Sequence, residues 1–229
     1  MRALVTGGCH GLGKSFTEYL LKLGYKVYAL YNTSIDDAIS LETKYDNLSC
    51  IRCDIRDENM VESTLSNIDS IDILINNAGI ACDNNFEDKS LDEFMEVIKT
   101  NLGGTYVMIK HTLKKLNEKG IIINISSNNA IDNYNPISMD YDASKAGINI
   151  LTKDFSLVLD RLNRHQKIVS ICPGWIATES VKGSNPKYIN EEMKRVNQKL
   201  LLEPLELVKY IVDNKDNFDN GEIREIINL

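Results

Sequence analysis

The sequence predicts an α/β protein, a single domain whose seven-stranded, mostly parallel sheet is covered by helices on both faces. Short apolar segments alternate with longer amphipathic segments along the whole chain, and parallel strands need such crossovers between them. The segments ILIN and IIINIS are apolar throughout, as expected of strands that are buried on both sides. The 229 residues contain no repeat or linker, so one domain is expected over residues 1–229.

The first part of the chain alternates strands with helices. The first helix is expected to end at Gly24, because glycine readily adopts the backbone conformation that closes a helix. Ser34 is predicted as the N-cap of the second helix, with Asp36 and Asp37 favourably placed in its first turn. The predicted elements are strands at 2–6, 26–31, 49–53 and 71–76 and helices at 12–23, 34–45 and 58–68.

The second part of the chain contains two long helices and a more polar C-terminal third. Ser90 is predicted as the N-cap of the first long helix, and Pro173-Gly174 ends the strand that follows the second. The predicted elements are helices at 91–118, 141–164, 190–200 and 204–214 and strands at 120–126, 168–172 and 222–226.

The composition argues against several classes of protein. The formal net charge of −7 disfavours a nucleic-acid binder, which normally carries a basic face. The longest apolar runs have the length of buried strands and the first residues do not resemble a signal peptide, so we expect no membrane association. The three histidines show no metal-ligand spacing, so no metal is expected.

The cysteines favour a reducing cytoplasm as the location. Their number is odd and their positions are scattered, which does not suggest a disulfide framework. Cys50 and Cys53 form a CxxC pattern, but they lie in a predicted strand and would face opposite sides of the sheet. We therefore interpret them as small buried hydrophobic residues. The five cysteines are Cys9, Cys50, Cys53, Cys82 and Cys172.

The N-terminal stretch MRALVTGGCHGLGKS contains two different phosphate-binding patterns. Residues 8–15 fit GxxxxGK(S/T), the P-loop of ATP and GTP hydrolases, and residues 6–13 fit TGxxxGxG, the turn of a nicotinamide-dinucleotide fold. A P-loop enzyme also needs an acidic residue at the tip of another buried strand to hold Mg²⁺. The best buried strands here end in Asn76 and Ser126, so the dinucleotide interpretation is favoured.

Seven motifs follow one another along nearly the whole chain and fall at the carboxyl ends of predicted strands, where open α/β sheets bind ligands. The motifs are TGGCHGLG at 6–13, Asp54-Ile55, NNAG at 76–79, Asn101 within KTNLGGTY, Ser126-Ser127, YDASKAG at 141–147 and PGWIAT at 173–178. Together they resemble the short-chain dehydrogenase/reductase family. The resemblance implies a single-domain Rossmann fold that binds NAD(P) and an oxidoreductase activity.

The YDASK segment carries the expected chemistry. A spacing of four places Tyr141 and Lys145 on one face of a helix, and a nearby ammonium lowers the pKa of a phenol from its usual value of about 10. Tyr141 could then protonate a carbonyl oxygen. The resemblance implies that Lys145 also binds the nicotinamide ribose, that Ser127 holds the substrate oxygen, with Ser126 as the alternative, and that Asn101 marks a helix kink that holds a water of a proton relay.

Most other motif residues are expected at the cofactor. In the glycine turn, Gly7 permits the tight turn, Gly11 lets the backbone approach the pyrophosphate, and Gly13 lets helix and strand pack closely. The resemblance implies an adenine contact for Asp54-Ile55 and a nicotinamide contact for Thr178. The expected cofactor-binding residues are Gly7, His10, Gly11, Leu12, Gly13, Tyr31, Asn32, Thr33, Asp54, Ile55, Asn77, Ala78, Gly79, Tyr141, Lys145, Pro173, Gly174, Ile176 and Thr178.

The end of the second strand, KVYALYNTS, favours NADP(H) over NAD(H). An acidic residue at its tip would bond the ribose 2′-hydroxyl and repel a 2′-phosphate, but Tyr31 occupies that position. Asn32, Thr33 and Ser34 could bond a phosphate instead. Many NADPH-using members of the family have an arginine near His10, and this chain departs from that pattern.

By overall pattern, the chain most resembles the bacterial 3-oxoacyl-ACP reductases. This predicts NADPH-dependent reduction of a 3-oxoacyl thioester, with Arg164 either at the site for an acidic carrier protein or simply solvated at a helix end. The chain lacks the usual glycine-ending tail. The polar segment 178–202 is predicted to be a substrate lid, and the substrate itself cannot be identified from it.

Several alternatives stay open from the sequence. The protein could act on another small ketone or alcohol, or be a non-catalytic dinucleotide-binding sensor that kept the fold. The long helices at 91–118 and 141–164 predict a homo-oligomer, with a tetramer favoured. The apolar residues that could belong either to the core or to such an interface are Val107, Ile109, Leu151 and Leu157.

Overall fold

The computed structural model describes all 229 residues and confirms the predicted α/β fold. Seven strands form one sheet in the order β3-β2-β1-β4-β5-β6-β7, and all neighbours are parallel. The order reverses between β1 and β4, which is where open sheets of this kind bind ligands. The strands are β1 Arg2–Thr6, β2 Lys26–Tyr31, β3 Leu48–Arg52, β4 Ile71–Asn76, β5 Leu116–Ile125, β6 Lys167–Pro173 and β7 Ile223–Ile226.

Helices cover both faces of the sheet, because alternate side chains of each buried strand point to opposite sides. One core of 27 buried residues includes Val5 and Phe16, and the other, of 16, includes Leu4 and Met108. The helices are α1 Gly11–Lys22, α2 Ile35–Glu42, α3 Glu58–Ser66, α4 Leu91–Val97, α5 Gly104–Thr112, α6 Met139–Arg161, α7 Glu179–Lys182, α8 Pro186–Arg195 and α9 Pro204–Asp213. No helix combines the length and the apolar character that a membrane crossing requires.

The helix predicted over 91–118 is wrong in its second half. A π-helical turn over Ile98–Gly103 interrupts it, α5 ends at Thr112, and β5 begins at Leu116. Leu116 pairs with Ile71 of β4, and the register then shifts before the next pair. This strand pairing is a long-range interaction and overrides the local helical pattern of residues 113–118.

The predicted ends of other helices also need correction. Ser34 is the N-cap residue of α2, as predicted, but its side chain makes no cap hydrogen bond, and its Oγ lies 3.2 Å from His10 Nδ1. The helix predicted over 190–200 lies at Pro186–Arg195, because Asn185 accepts a hydrogen bond from the Lys187 amide and proline suits the first helical position.

Candidate active site

A pocket of about 450 Å³ lies at the carboxyl ends of β1, β4, β5 and β6. It brings together many residues that the sequence predicted to be functional. Those that line it are Leu12, Asn77, Gly79, Ser127, Tyr141, Lys145, Pro173, Gly174, Ile176 and Thr178, together with Ser126. No cluster of three or more histidine, cysteine or acidic side chains could hold a metal ion.

Lys145 is a buried ammonium without a carboxylate partner. It lies one turn after Tyr141 on α6, with Nζ 5.4 Å from the centre of the Tyr141 ring. Its Nζ donates a hydrogen bond to the Ile125 carbonyl at 2.8 Å. Burial lowers the pKa of Lys145 to about 8, because the charged form is poorly solvated there. At pH 7 the side chain is still mostly charged.

The phenol of Tyr141 keeps its proton at neutral pH. The sequence predicted a lowered pKa from the neighbouring ammonium, and that expectation is wrong. Burial raises the pKa of Tyr141 to about 12, and the smaller opposite contribution comes from the hydroxyl of Ser127. Tyr141 can therefore act as a proton donor, which is the role that reduction of a carbonyl requires.

The structure separates the two candidate serines that follow β5. The Ser126 hydroxyl donates to the carbonyl of Lys145 at 3.0 Å and so fastens α6 to the sheet. The Ser127 hydroxyl lowers the pKa of the Tyr141 phenol against the larger effect of burial, and it accepts a hydrogen bond from the Asn129 amide at 3.2 Å. Of the two serines, Ser127 is therefore the one that influences the Tyr141 phenol.

Asn101 lies behind the pocket and does not line it. It is fully buried in the π-helical turn, where its Oδ1 accepts from the Ile80 amide at 2.8 Å. Its Nδ2 donates to the Ile80 carbonyl at 2.9 Å and to Ser144 Oγ at 3.0 Å. These bonds fasten the segment after β4 to α6, and the expected water of a proton relay stays a prediction.

The glycine turn between β1 and α1 has two different steric reasons for its glycines. A Cβ at Gly13 would lie 2.0 Å from the Gly7 carbonyl oxygen, so no other residue fits without moving the turn. Gly11 has φ +52° and faces open space, with no heavy atom within 4 Å of a Cβ placed there. From the neighbouring strand, Asn77 Nδ2 donates to the Thr6 carbonyl at 3.1 Å and holds the turn in place.

These features fit a nicotinamide dinucleotide. His10, the N-cap of α1, makes no side-chain cap bond, and the first turn of α1 carries no acidic residue. The backbone amide groups of this first turn are thus available to an anion, and the open space beside Gly11 lets a phosphate approach the backbone closely. The uncompensated ammonium of Lys145 lies in the adjoining pocket, where it could bond ribose hydroxyls.

The remaining predicted cofactor residues lie outside the pocket, most of them after β1, β2 and β3. Tyr31 ends β2, and Asn32 and Thr33 follow it as exposed residues. Arg56 holds Asp54 through a 2.9 Å bond and keeps the pKa of that carboxyl below its usual value, while Ile55 is buried against Gly104. The predicted residues that do not line the pocket are Gly7, His10, Gly11, Gly13, Tyr31, Asn32, Thr33, Asp54, Ile55, Ala78 and Asn101.

Sequence reasoning missed a polar wall of the pocket. Asn135 Nδ2 donates to the Tyr188 hydroxyl at 3.0 Å, and the Tyr188 ring meets Trp175 edge-on with centroids 6.2 Å apart. These residues lie in loops or on α8, within the segment predicted to be a lid, and no periodic pattern in the sequence distinguishes them. The missed pocket residues of this wall are Asp83, Asn128, Asn129, Asn135, Ser138, Trp175 and Tyr188.

The base of the predicted lid is pinned by one buried side chain. Gln198 Nε2 donates to the carbonyls of Trp175 and Leu200, and its Oε1 accepts from the Trp175 amide at 2.8 Å. Ile176 pairs with Leu202 as an isolated parallel bridge. The chain between these points forms α7 and α8, which contribute Val181 and other residues to the pocket.

Comparison with known proteins shows what this chain is similar to. A family model described as short chain dehydrogenase matches residues 1–189. The acetoacetyl-CoA reductase of Rhizobium meliloti is 31% identical over 217 residues, which cover 92% of this chain and 88% of that protein. The 3-oxoacyl-(acyl-carrier-protein) reductase of Vibrio harveyi is 31% identical over 216 residues, which cover 92% of this chain and 87% of that protein.

Two further comparisons extend this similarity. The 15-hydroxyprostaglandin dehydrogenase of Homo sapiens, whose name carries NAD(+), is 32% identical over 189 residues, covering 77% of this chain and 68% of that protein. A solved structure of a dehydrogenase/reductase from Sinorhizobium meliloti 1021 superposes with a TM-score of 0.89 at 26% identity. The match covers 98% of this chain and 92% of the other.

We predict that Gly11→Ala weakens NADPH binding and also lowers the stability of the fold modestly. A Cβ there would enter the open space that a pyrophosphate needs, so the dissociation constant should rise about tenfold or more. The positive φ should cost about 1–2 kcal/mol of stability. Fluorescence titration with NADPH and thermal melting measure the two effects. Gly24→Ala is the matched control, because Gly24 also has positive φ and open surroundings, at the other end of α1.

We also predict that the affinity for NADPH falls as pH rises from 7 to 9. Over this range Lys145, with a pKa of about 8, loses its proton, whereas Tyr141, with a pKa of about 12, keeps its own. If the ammonium form holds the dinucleotide, the dissociation constant rises about tenfold by pH 9. Titrations at each pH test this, and Lys145→Met should bind weakly with a flat profile. An affinity of the unaltered protein that does not change with pH would contradict the prediction.

Proposed function

Because this chain belongs to the short-chain dehydrogenase family, we propose that it reduces a 3-oxoacyl thioester to the 3-hydroxyacyl form with NADPH. The observation that carries the proposal is the convergence of Tyr141, Ser127 and Lys145 in one pocket beside an uncapped helix N-terminus. A protonated phenol, a hydroxyl and a buried ammonium are the groups that carbonyl reduction needs.

The chemical roles follow from the environment of each group. Tyr141 donates its proton to the carbonyl oxygen, and the Ser127 hydroxyl holds that oxygen in place. The dinucleotide supplies the hydride when bound. Lys145 holds the ribose and, while charged, stabilises the phenolate that remains on Tyr141. Asn101 fixes the relative position of α6 and the segment after β4 through its bonds to Ile80 and Ser144.

The proposed substrate class rests on the relatives and on the pocket. Two of the relatives are named for reducing acetoacetyl-CoA and a 3-oxoacyl group on a carrier protein. The lining of the pocket is partly polar, with Asn129 and Asn135 among its residues, and this suits a substrate whose thioester carbonyl is separated from the ketone by one carbon. Arg164 is exposed after the end of α6, where an acidic carrier could reach it.

The end of β2 supports NADP(H) as the cofactor. Family membership does not decide this point, because one relative is named for NAD(+). In this chain Tyr31, Asn32 and Thr33 place no acidic group where a 2′-phosphate would lie. The neighbouring pair of His10 and Ser34, with Nδ1 and Oγ 3.2 Å apart, could bond such a phosphate.

The exposed faces of α5 and α6 support a homo-oligomer, which we propose to be a tetramer. Ile150 and Leu157 lie two turns apart on α6 and are 62% and 53% exposed. Tyr106 of α5 is also exposed and contacts Phe155 of α6. Large apolar side chains exposed on two neighbouring helices suit an interface between subunits. Ile109, in contrast, is fully buried in the core.

The proposed activity is tested by following NADPH consumption with an acetoacetyl thioester. We predict turnover by the unaltered chain and a loss of about 10²- to 10⁴-fold in Tyr141→Phe, which removes the proton donor. Lys14→Ala should change little, because Lys14 belongs to the P-loop pattern alone. NADPH binding without turnover of any ketone would favour the sensor, and metal-dependent ATP binding lost in Lys14→Ala would favour the nucleotide hydrolase.

The oligomer is tested by the mass in solution. We predict a mass of several chains for the unaltered protein and a shift towards a single chain in Ile150→Asp, because a charge would be buried in the interface. Ile39→Asp is the matched control, since Ile39 is similarly exposed but lies on α2. A single-chain mass for the unaltered protein would contradict the proposal.

A further inference from the structure

A buried ion pair lies beside the pocket and belongs to none of the motifs discussed so far. Lys89 Nζ lies 2.7 Å from Asp140 Oδ2, and the two side chains are only 3% and 0% exposed. Lys89 also donates a hydrogen bond to the carbonyl of Cys82. In every other ion pair of the protein, at least one side chain is 35% or more exposed. This pair is therefore unusual in its burial.

Asp140 is bonded to the backbone that carries Tyr141. It occupies the first turn of α6, and its Oδ1 accepts a hydrogen bond from the Tyr141 amide at 2.9 Å. A carboxylate in this position is favoured by the helix dipole. The other oxygen of the same carboxylate faces Lys89. The carboxylate of Asp140 thus links Lys89 to the first turn of α6.

Lys89 belongs to a segment, residues 80–90, that follows β4 and is bonded at several points to α6 and to the two residues just before it. The Asn84 amide donates to the Ile137 carbonyl at 3.1 Å, and Ser138 Oγ donates to Asp83 Oδ1 at 2.5 Å. Lys89 makes the last of these contacts along the segment and the only ion pair among them. The segment and the first turn of α6 therefore form one connected unit at the wall of the pocket.

Stability alone gives a poor account of this pair. The cost of removing two charges from water often equals or exceeds their attraction, so an apolar pair of similar size would serve a core equally well. We propose that Lys89 and Asp140 are positioning residues that hold the Tyr141 phenol at the distance and angle needed for proton transfer. The proposal rests on the reductase function proposed above and adds two residues to the machinery of that site.

The first test is Lys89→Met, compared with the unaltered protein in NADPH consumption with an acetoacetyl thioester. We expect kcat to fall on the order of 100-fold, because a displaced proton donor reacts slowly. KM and the dissociation constant of NADPH should stay within about twofold, since neither ligand contacts Lys89 in this proposal. Lys110→Met is the matched control: it breaks an exposed pair with Glu58 of the same 2.7 Å length and should leave kcat unchanged.

A second variant separates positioning from folding, because Lys89→Met leaves a buried carboxylate without its cation. The double variant Lys89→Met with Asp140→Asn removes both charges, and the asparagine Oδ1 can still accept from the Tyr141 amide. We expect its melting temperature to recover towards that of the unaltered protein while kcat stays low. Recovery of kcat together with the melting temperature would overturn the proposal.

Amide hydrogen exchange tests the proposal without relying on activity. In Lys89→Met we expect faster exchange in residues 80–90 and 139–145, and unchanged exchange in α9, which packs against α1 elsewhere in the molecule. If the unaltered protein reduces no ketone, the proposed function fails. Unchanged exchange in those two segments would overturn the positioning role on its own, so the two failures can be told apart.

Discussion

All neighbouring strands of the sheet run parallel, and the arrangement of the site depends on this constraint. Parallel strands end at the same edge, so the turn after β1, Asn77 after β4, Ser127 after β5 and Gly174 after β6 meet there although they are far apart in sequence. Tyr141 and Lys145 reach the same edge from α6, which packs against the sheet. Hydrogen bonds from Ser126 and Asn101 to α6 fix the position of this helix along the sheet.

Burial, more than the pairing of charges, sets the protonation of the site. The same desolvation raises the pKa of the Tyr141 phenol and lowers that of the Lys145 ammonium, so both groups are pushed towards their neutral forms. The positive charge of Lys145 remains in the pocket, and no carboxylate is bonded to that ammonium. An anionic or hydroxyl-rich ligand in this pocket could therefore accept hydrogen bonds from the Lys145 ammonium, whose charge no carboxylate of the protein neutralises.

The sequence was most informative where a feature depends on neighbouring residues. The glycine turn, the strand ends and the spacing of Tyr141 and Lys145 are local patterns, and they could be predicted together with the fold. The predicted helix over 91–118 failed because β5 starts at Leu116 through pairing with distant Ile71. The lowered pKa expected for Tyr141 failed for a related reason, since burial depends on the whole fold. The polar wall with Asn135 and Tyr188 combines a loop residue with a residue of α8, so no single segment of the sequence predicts it.

The pinned base of the segment that forms α7 and α8 has a consequence for how such a protein can diversify. The hydrogen bonds of Gln198 to Trp175 and the bridge between Ile176 and Leu202 hold the two ends of this segment together. The ends are therefore joined independently of the residues between them. The segment between these two ends can change in sequence or in length without disturbing the sheet. A descendant could therefore exchange this insert as a whole while the glycine turn, Tyr141, Lys145 and the edge of the sheet stay as they are.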